Sequence, residues 1–147
     1  MNIGDIRTTH VVVTHPAEPL VSAARLMREH KVGAVVVLDP HDPNRRPIGM
    51  LTDRDIVRGQ LARNADLHCL TVGDVMSKNP LCLGVEVALA EGIDAMNGRA
   101  VRRAPVTDGN GTLVGIVTLD DLLPAVASEL YELAKLIKAQ THRGLVP

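Results

Sequence analysis

The chain has 147 residues, 46% of them hydrophobic, with no Phe, no Trp and Tyr131 as its single aromatic residue. This length suits one or two small domains that bury a core without disulfides, and both the core and any grip on a planar ligand must be aliphatic. Sixteen Lys and Arg against seventeen Asp and Glu give a formal net charge of −1, which, with aromatic stacking platforms missing, argues against a nucleic-acid partner.

Ile3-Gly4-Asp5-Ile6 recurs as Val72-Gly73-Asp74-Val75, a shift of 69 positions that continues through Leu20 and Leu89, Met27 and Met96, Val37 and Val106, and Asp39 and Asp108. Apolar character is kept while other residues vary, as two copies of one fold require. In the first copy, residues 11–13 are β-branched and predict a strand. Residues 19–30 carry Leu20, Ala23, Ala24 and Met27 at helical spacing, and 34–38 form an apolar run suited to a strand covered on both faces.

Residues 40–47, rich in Pro and Asn, predict a turn, 48–51 a strand and 53–63 a helix. That turn is three residues longer than its counterpart, so the shift beyond it becomes 66. Residues 64–71 read as a linker, and the second copy repeats the order: strand 80–83, helix 88–97, strand 104–107, turn 108–111, strand 113–117 and a helix from Leu119. A period this long indicates tandem α/β domains, 3–63 and 72–128, rather than a solenoid. The last helix outruns the repeat into an extension over 129–147, where Leu130, Leu133, Ala134, Leu136 and Ile137 keep an apolar stripe. That stripe fits docking within the chain or a contact between subunits.

The strand-to-helix junctions Gly49-Met50-Leu51-Thr52-Asp53-Arg54-Asp55 and Gly115-Ile116-Val117-Thr118-Leu119-Asp120-Asp121 both contain Thr-x-x-Asp. An ordinary capping box accounts for a single occurrence. Three features favour a ligand: a glycine three residues before each Thr admits close backbone approach, the junction occurs twice, and a helix start offers N–H groups and a positive dipole end to a phosphate. An ionised Asp can accept from both hydroxyls of a ribose. Phosphate beside Thr and ribose on Asp together describe a nucleotide.

The duplicated G-h-h-T-x-x-D junction, with the preceding segment Val101-Arg102-Arg103-Ala104-Pro105-Val106-Thr107-Asp108, resembles the cystathionine-β-synthase-type (CBS) domain pair, or Bateman module, especially short stand-alone bacterial examples. The resemblance covers residues 3–128. It implies two β-α-β-β-α units packed about a pseudo-two-fold axis, a homodimer formed through helices, and a cytoplasmic regulatory module without catalytic residues. It also implies an adenosyl ligand, whether AMP, ADP, ATP, S-adenosylmethionine or NAD, with no obligatory cofactor.

Carried over by position, Thr52 and Asp55 with Met50, Val32, Gly33 and Ala34 form the site of the first copy. Thr118 and Asp121 with Ile116, Asn79, Pro80, Val101, Arg102 and Ala104 form that of the second. Arg54 and Arg102 are phosphate partners by the fit of a guanidinium fork, whereas Arg103 reads as a surface arginine. The first copy has Val36 where Pro105 stands, so its site is expected to differ in ligand or stay empty. On this reading Asp121→Ala weakens binding more than Asp53→Ala.

Cys69 and Cys82 make no CxxC and read as buried free thiols of a reducing compartment. The six histidines lack zinc-binding spacing, and no nucleophile elbow, Walker loop or GxGxxG occurs. The acidic N-terminus is unlike a secretory signal, and no run approaches the ~20 apolar residues of a membrane helix. With no fused effector in these residues, output is expected to pass through oligomer shape or an unidentified effector protein. A ligand-free interaction scaffold is the alternative.

Overall fold

A computed structural model describes the backbone of residues 1–144 and the side chains of residues 1–140. The run Ala-Val-Val-Val-Leu forms a central strand because each of its faces has somewhere to bury. Chain order is α1 (Ile3–Ile6), β1 (Val13–Thr14), α2 (Leu20–His30), β2 (Ala34–Leu38), β3 (Pro47–Thr52), α3 (Asp53–Arg63), α4 (Val72–Val75), β4 (Ser77–Lys78), β5 (Leu83–Gly84), α5 (Leu89–Arg99), β6 (Arg103–Thr107), β7 (Leu113–Thr118) and α6 (Leu119–Gly144).

The strands form two sheets, β1-β2-β3-β4 and β5-β6-β7. In each the first pair is parallel and the next antiparallel, with Val36 opposite Met50 in one and Pro105 opposite Ile116 in the other. Period-two alternation divides β2. Val35 and Val37 face a core with Leu20, Ala23, Met27, Leu51 and Ile56, while Val36 and Leu38 turn to a cluster with Met50 and Leu113 that joins the two halves. Helices α2 and α5 end at corresponding left-handed residues, Lys31 (φ 54°) and Ala100 (φ 53°), whose N–H groups close back on the last turns.

The two copies exchange their leading segments. Ile3 packs into the core of the second half with Leu83, Leu89 and Met96, whereas Leu70 and Val72 pack into that of the first. Paired backbone bonds hold both exchanges: Ile3 N–H to Val87 O (2.8 Å) and Gly4 N–H to Val85 O (3.0 Å), and likewise Val72 N–H to Glu18 O (2.9 Å) and Gly73 N–H to Pro16 O (2.9 Å). The predicted linker therefore ends in buried structure. Short helices α1 and α4, and strand β4, lie outside the elements the sequence pattern predicts.

Gly59 of α3 faces Val75 of α4, where a Cβ would sit 2.3 Å from Val75 Cγ1. Alanine would gain about 1 kcal/mol in helix propensity, but overpacking a β-branched neighbour costs about 1–3 kcal/mol. Gly59→Ala is expected to be net destabilising in urea denaturation; a raised midpoint would show that α4 moves aside freely.

Helix α6 leaves the domain after Ala125, and Leu130, Leu133 and Leu136 of the predicted stripe stay exposed among the described residues. Leu130 is 66% exposed and Ile137 67%, with Leu133 and Leu136 similar. The extension's residues 145–147 lie outside the described residues. Cys82 is half-buried and Cys69 exposed, which corrects the expectation of two buried thiols: Cys69 sits on the 64–71 turn, whose inward position is taken by Leu70.

Candidate functional site

Each Thr-x-x-Asp caps a helix, but the two junctions differ in what remains free. At the start of α3, Thr52 N–H donates to Asp55 Oδ2 (2.9 Å) and Asp55 N–H to Thr52 Oγ1 (3.0 Å), closing the capping box. Asp53 N–H is taken by Gly33 O (3.1 Å) and Arg54 N–H by Asp53 Oδ1 (2.8 Å). The first three helix donors are thus satisfied internally, contrary to the expectation that they are free for a phosphate. Asp55 Oδ1 keeps no hydrogen bond among the described residues, and the Thr52 hydroxyl still has its proton to give.

At the start of α6, Asp121 is occupied on both oxygens. Its Oδ2 accepts from Thr118 N–H (2.9 Å) and Thr118 Oγ1 (3.3 Å), and its Oδ1 from Thr8 Oγ1 (3.3 Å). Thr8 arrives there through the exchanged N-terminal segment, which bridges Ile116.

The junction glycines have a packing role. A Cβ on Gly49 would meet Met76 Sδ at 2.8 Å and Ser77 O at 3.0 Å; on Gly115 it would meet Arg7 Cδ at 2.6 Å and Thr8 O at 2.9 Å. They admit the exchanged segments rather than a ligand.

Two clefts lie between the halves. The larger, about 450 Å³, is lined by Met50, Thr52, Asp53, Arg54 and Asp55 of the β3–α3 junction and by Ser77, Lys78, Pro80, Leu81, Arg99, Ala100, Val101, Arg102 and Arg103 from the second half. The smaller, about 280 Å³, is lined by Thr8, His10, Val11, Val12, Lys31, Val32, Gly33 and Ala34 with Arg103, Ile116, Thr118 and Asp120. Only the larger falls in the ~300–1,000 Å³ range usual for small-molecule sites.

Grouping the residues copy by copy is therefore corrected. Thr52, Asp55 and Met50 share a cleft with Pro80, Val101 and Arg102, while Thr118 and Ile116 share one with Val32, Gly33 and Ala34. The physical reason is the face-to-face packing of the halves, which sets each helix start against the loop before the other copy's central strand. Asp121, Asn79 and Ala104 line neither cleft. Ala104 is buried in the core of the second half, and Asn79 (φ 51°) gives its carbonyl to Arg99 Nη2 (2.7 Å).

Arg54 lines the larger cleft, and so does Arg102, which the sequence grouped with Thr118; Arg103 is no surface arginine. It is half-buried, lines both clefts and donates from Nη1 to Gly33 O across the halves (3.0 Å). Lys78 and Arg99 escape sequence reasoning because no motif contains them; their one signal is the basic clustering of Arg99, Arg102 and Arg103.

Burial pushes the Cys82 thiol up, partly offset by Arg99, so it is held as a neutral thiol rather than an activated nucleophile. Among the described residues no group of three His, Cys, Asp or Glu is placed to hold a metal ion, and no helix is long and apolar enough to cross a membrane.

Comparison with known proteins agrees with this architecture. The CBS domain family matches residues 3–62 and 72–128. An uncharacterized protein of Methanopyrus kandleri is 32% identical over 123 residues, covering 84% of this chain and 61% of that protein, so the chain spans less than two thirds of that relative's length. Hypoxic response protein 1 of Mycobacterium tuberculosis is 36% identical over 118 residues, 80% of each chain.

Among solved structures, Hypoxic Response Protein I with two coordinated zinc ions superposes with a TM-score of 0.72 at 35% identity, over 84% of this chain and 98% of that one. A hexameric CBS-CP12 protein from bloom-forming cyanobacteria gives 0.74 at 28%, over 84% and 66%. A CBS domain pair in complex with 5′-methylthioadenosine and S-adenosyl-L-methionine gives 0.74 at 22%, over 86% and 99%, a likeness of fold. With both repeats matched and the paired sheets in place, this chain belongs to the CBS domain family as a tandem pair.

Proposed function

We propose that the protein is a non-catalytic regulatory module that binds an adenosyl ligand in the larger cleft and passes the resulting change of shape to an oligomer or a partner protein. The observation carrying this reading is Asp55, half-buried beside Thr52, with Oδ1 open to accept from ribose hydroxyls in a cleft of suitable volume. Met50, Pro80, Leu81 and Val101 offer apolar contact for a base. A related fold crystallised with adenosyl compounds is consistent with this ligand class.

Because the cleft is built from both copies, a ligand there contacts both halves at once. Its differential affinity for their arrangements shifts the population between them. For the output, Leu130, Leu133 and Leu136 on α6, and Val57 and Leu61 on α3, present exposed apolar side chains on helices, the kind of surface that marks contacts between chains. This supports self-association through helices. It equally favours a second reading, a ligand-free interaction scaffold of the same fold.

A thermal-shift series with AMP, ADP, ATP, S-adenosylmethionine and NAD, with GTP as control, separates the two. A ligand at a hundredfold its Kd is expected to raise Tm by about 5–10 °C. No shift with any adenosyl compound would leave the scaffold, and ATP turnover above trace contamination would overturn the non-catalytic assignment. Leu133→Glu is expected to yield a smaller species in sedimentation velocity with an unchanged far-UV circular dichroism spectrum and a Tm no higher than wild type; an unchanged sedimentation coefficient would remove α6 from any oligomer contact.

A further inference from the structure

We infer that the larger cleft selects adenosyl ligands carrying two or more phosphates and rejects cationic ones such as S-adenosylmethionine, an inference that rests on the adenosyl-binding reading above. Arg54, Lys78, Arg99, Arg102 and Arg103 line it against only Asp53 and Asp55, a formal excess of three positive charges. None of these cations forms an ion pair among the described residues, where the four pairs lie elsewhere. Arg99 and Arg103 each donate to one backbone carbonyl, leaving most of their guanidinium donors free, and Arg54, Lys78 and Arg102 make no side-chain hydrogen bond.

Like charges crowded in a concave site repel one another and are only partly offset by Asp53 and Asp55, so a polyanion is the ligand that relieves them. The backbone cannot take that role, because the first N–H groups of α3 are already bonded to Gly33 O, Asp53 Oδ1 and Thr52 Oγ1. Phosphate recognition here falls to side-chain cations. Each added phosphoryl group supplies further charge to a guanidinium fork or ammonium.

The smaller cleft has a weaker field, with Lys31 and Arg103 against Asp120. Asp120 stands where the repeat places Arg54, Gly33 where it places Arg102, and Ala34 where it places Arg103. S-adenosylmethionine brings a sulfonium and an ammonium against one carboxylate, so the larger cleft opposes it.

The test is calorimetric titration in magnesium-free, low-salt buffer with adenosine, AMP, ADP, ATP, GTP and S-adenosylmethionine. The expected order is ATP and ADP above AMP by about tenfold or more, the change one charge-assisted hydrogen bond produces, with AMP above S-adenosylmethionine. The ADP-to-AMP ratio should shrink at high salt. Arg54→Ala with Arg102→Ala should flatten the series toward the AMP affinity without lowering the ligand-free Tm, since neither side chain holds the fold and their loss relieves like-charge repulsion.

Equal affinities for AMP, ADP and ATP at low salt, or S-adenosylmethionine binding as tightly as ATP, would overturn this selectivity while adenosyl binding stood. GTP binding as tightly as ATP would overturn the adenosyl assignment and uphold polyphosphate selection. No binding by any of them would overturn both.

Discussion

Ile3→Ala is expected to lower the unfolding free energy by about 2–5 kcal/mol, the cost of emptying a core position that cannot collapse. A residue so near a terminus is ordinarily tolerant of change. Ile3 is instead 0% exposed and shares a core with Leu83, Leu89, Met96 and Val106. Its fit is tight, since a Cβ on Gly92 would sit 2.6 Å from Ile3 Cδ1. Met1, 54% exposed, is the internal control, and Met1→Ala should stay within about 0.5 kcal/mol.

The exchange adds a second outcome. Because the first segment completes the second core and Leu70 and Val72 complete the first, neither half is closed without the other. Urea denaturation of Ile3→Ala should therefore move as one transition, with the midpoint reduced and the two halves unfolding together. A loss below about 0.5 kcal/mol, or a separate early transition confined to the second half, would mean that the leading segment is not an integral part of the core.

That exchange also marks where sequence reasoning stops. The shift of 69 makes both copies legible, and α2 and β2 follow from residues such as Leu20, Met27, Val35 and Val37, whose burial repeats at helical or strand spacing. Ile3 and Val72 stand before their copies in the chain, so linear reading assigns each to the copy it precedes. The backbone bonds from Ile3 to Val87 and from Val72 to Glu18, with the cores these residues enter, show the crossing.

The site is limited by the same physics. Thr52, Asp55, Thr118 and Asp121 are visible as repeated motifs, yet a motif carries no information on which loop faces it across the sheet interface. The closer match of the second copy to the family pattern draws attention to Asp121, although the structure spends both of its oxygens on Thr118 and Thr8. Thr8 is far from Asp121 in sequence and reaches it only through the exchange.

Asp55→Ala should weaken the tightest adenosyl ligand by about 10–100-fold, and Asp121→Ala, which the sequence sets above Asp53→Ala, by no more than about threefold. The larger loss corresponds to removing hydrogen bonds to a charged acceptor, about 1.5–3 kcal/mol. Asp55 Oδ1 is open in the larger cleft, whereas Asp121 lines neither cleft. Both substitutions also remove the acidic half of a capping box and so lower stability, so Tm alone cannot separate them and the titration must be run on protein well below its melting range.

Asp55→Asn isolates the charge, because its amide oxygen can still accept from Thr52 N–H at the cap. It should recover Tm relative to Asp55→Ala while recovering little affinity. If Asp121→Ala lost more affinity than Asp55→Ala, the smaller cleft would be the principal site and its Thr8 contact would have to open on binding; equal and small losses in both would remove ribose recognition from the two carboxylates altogether.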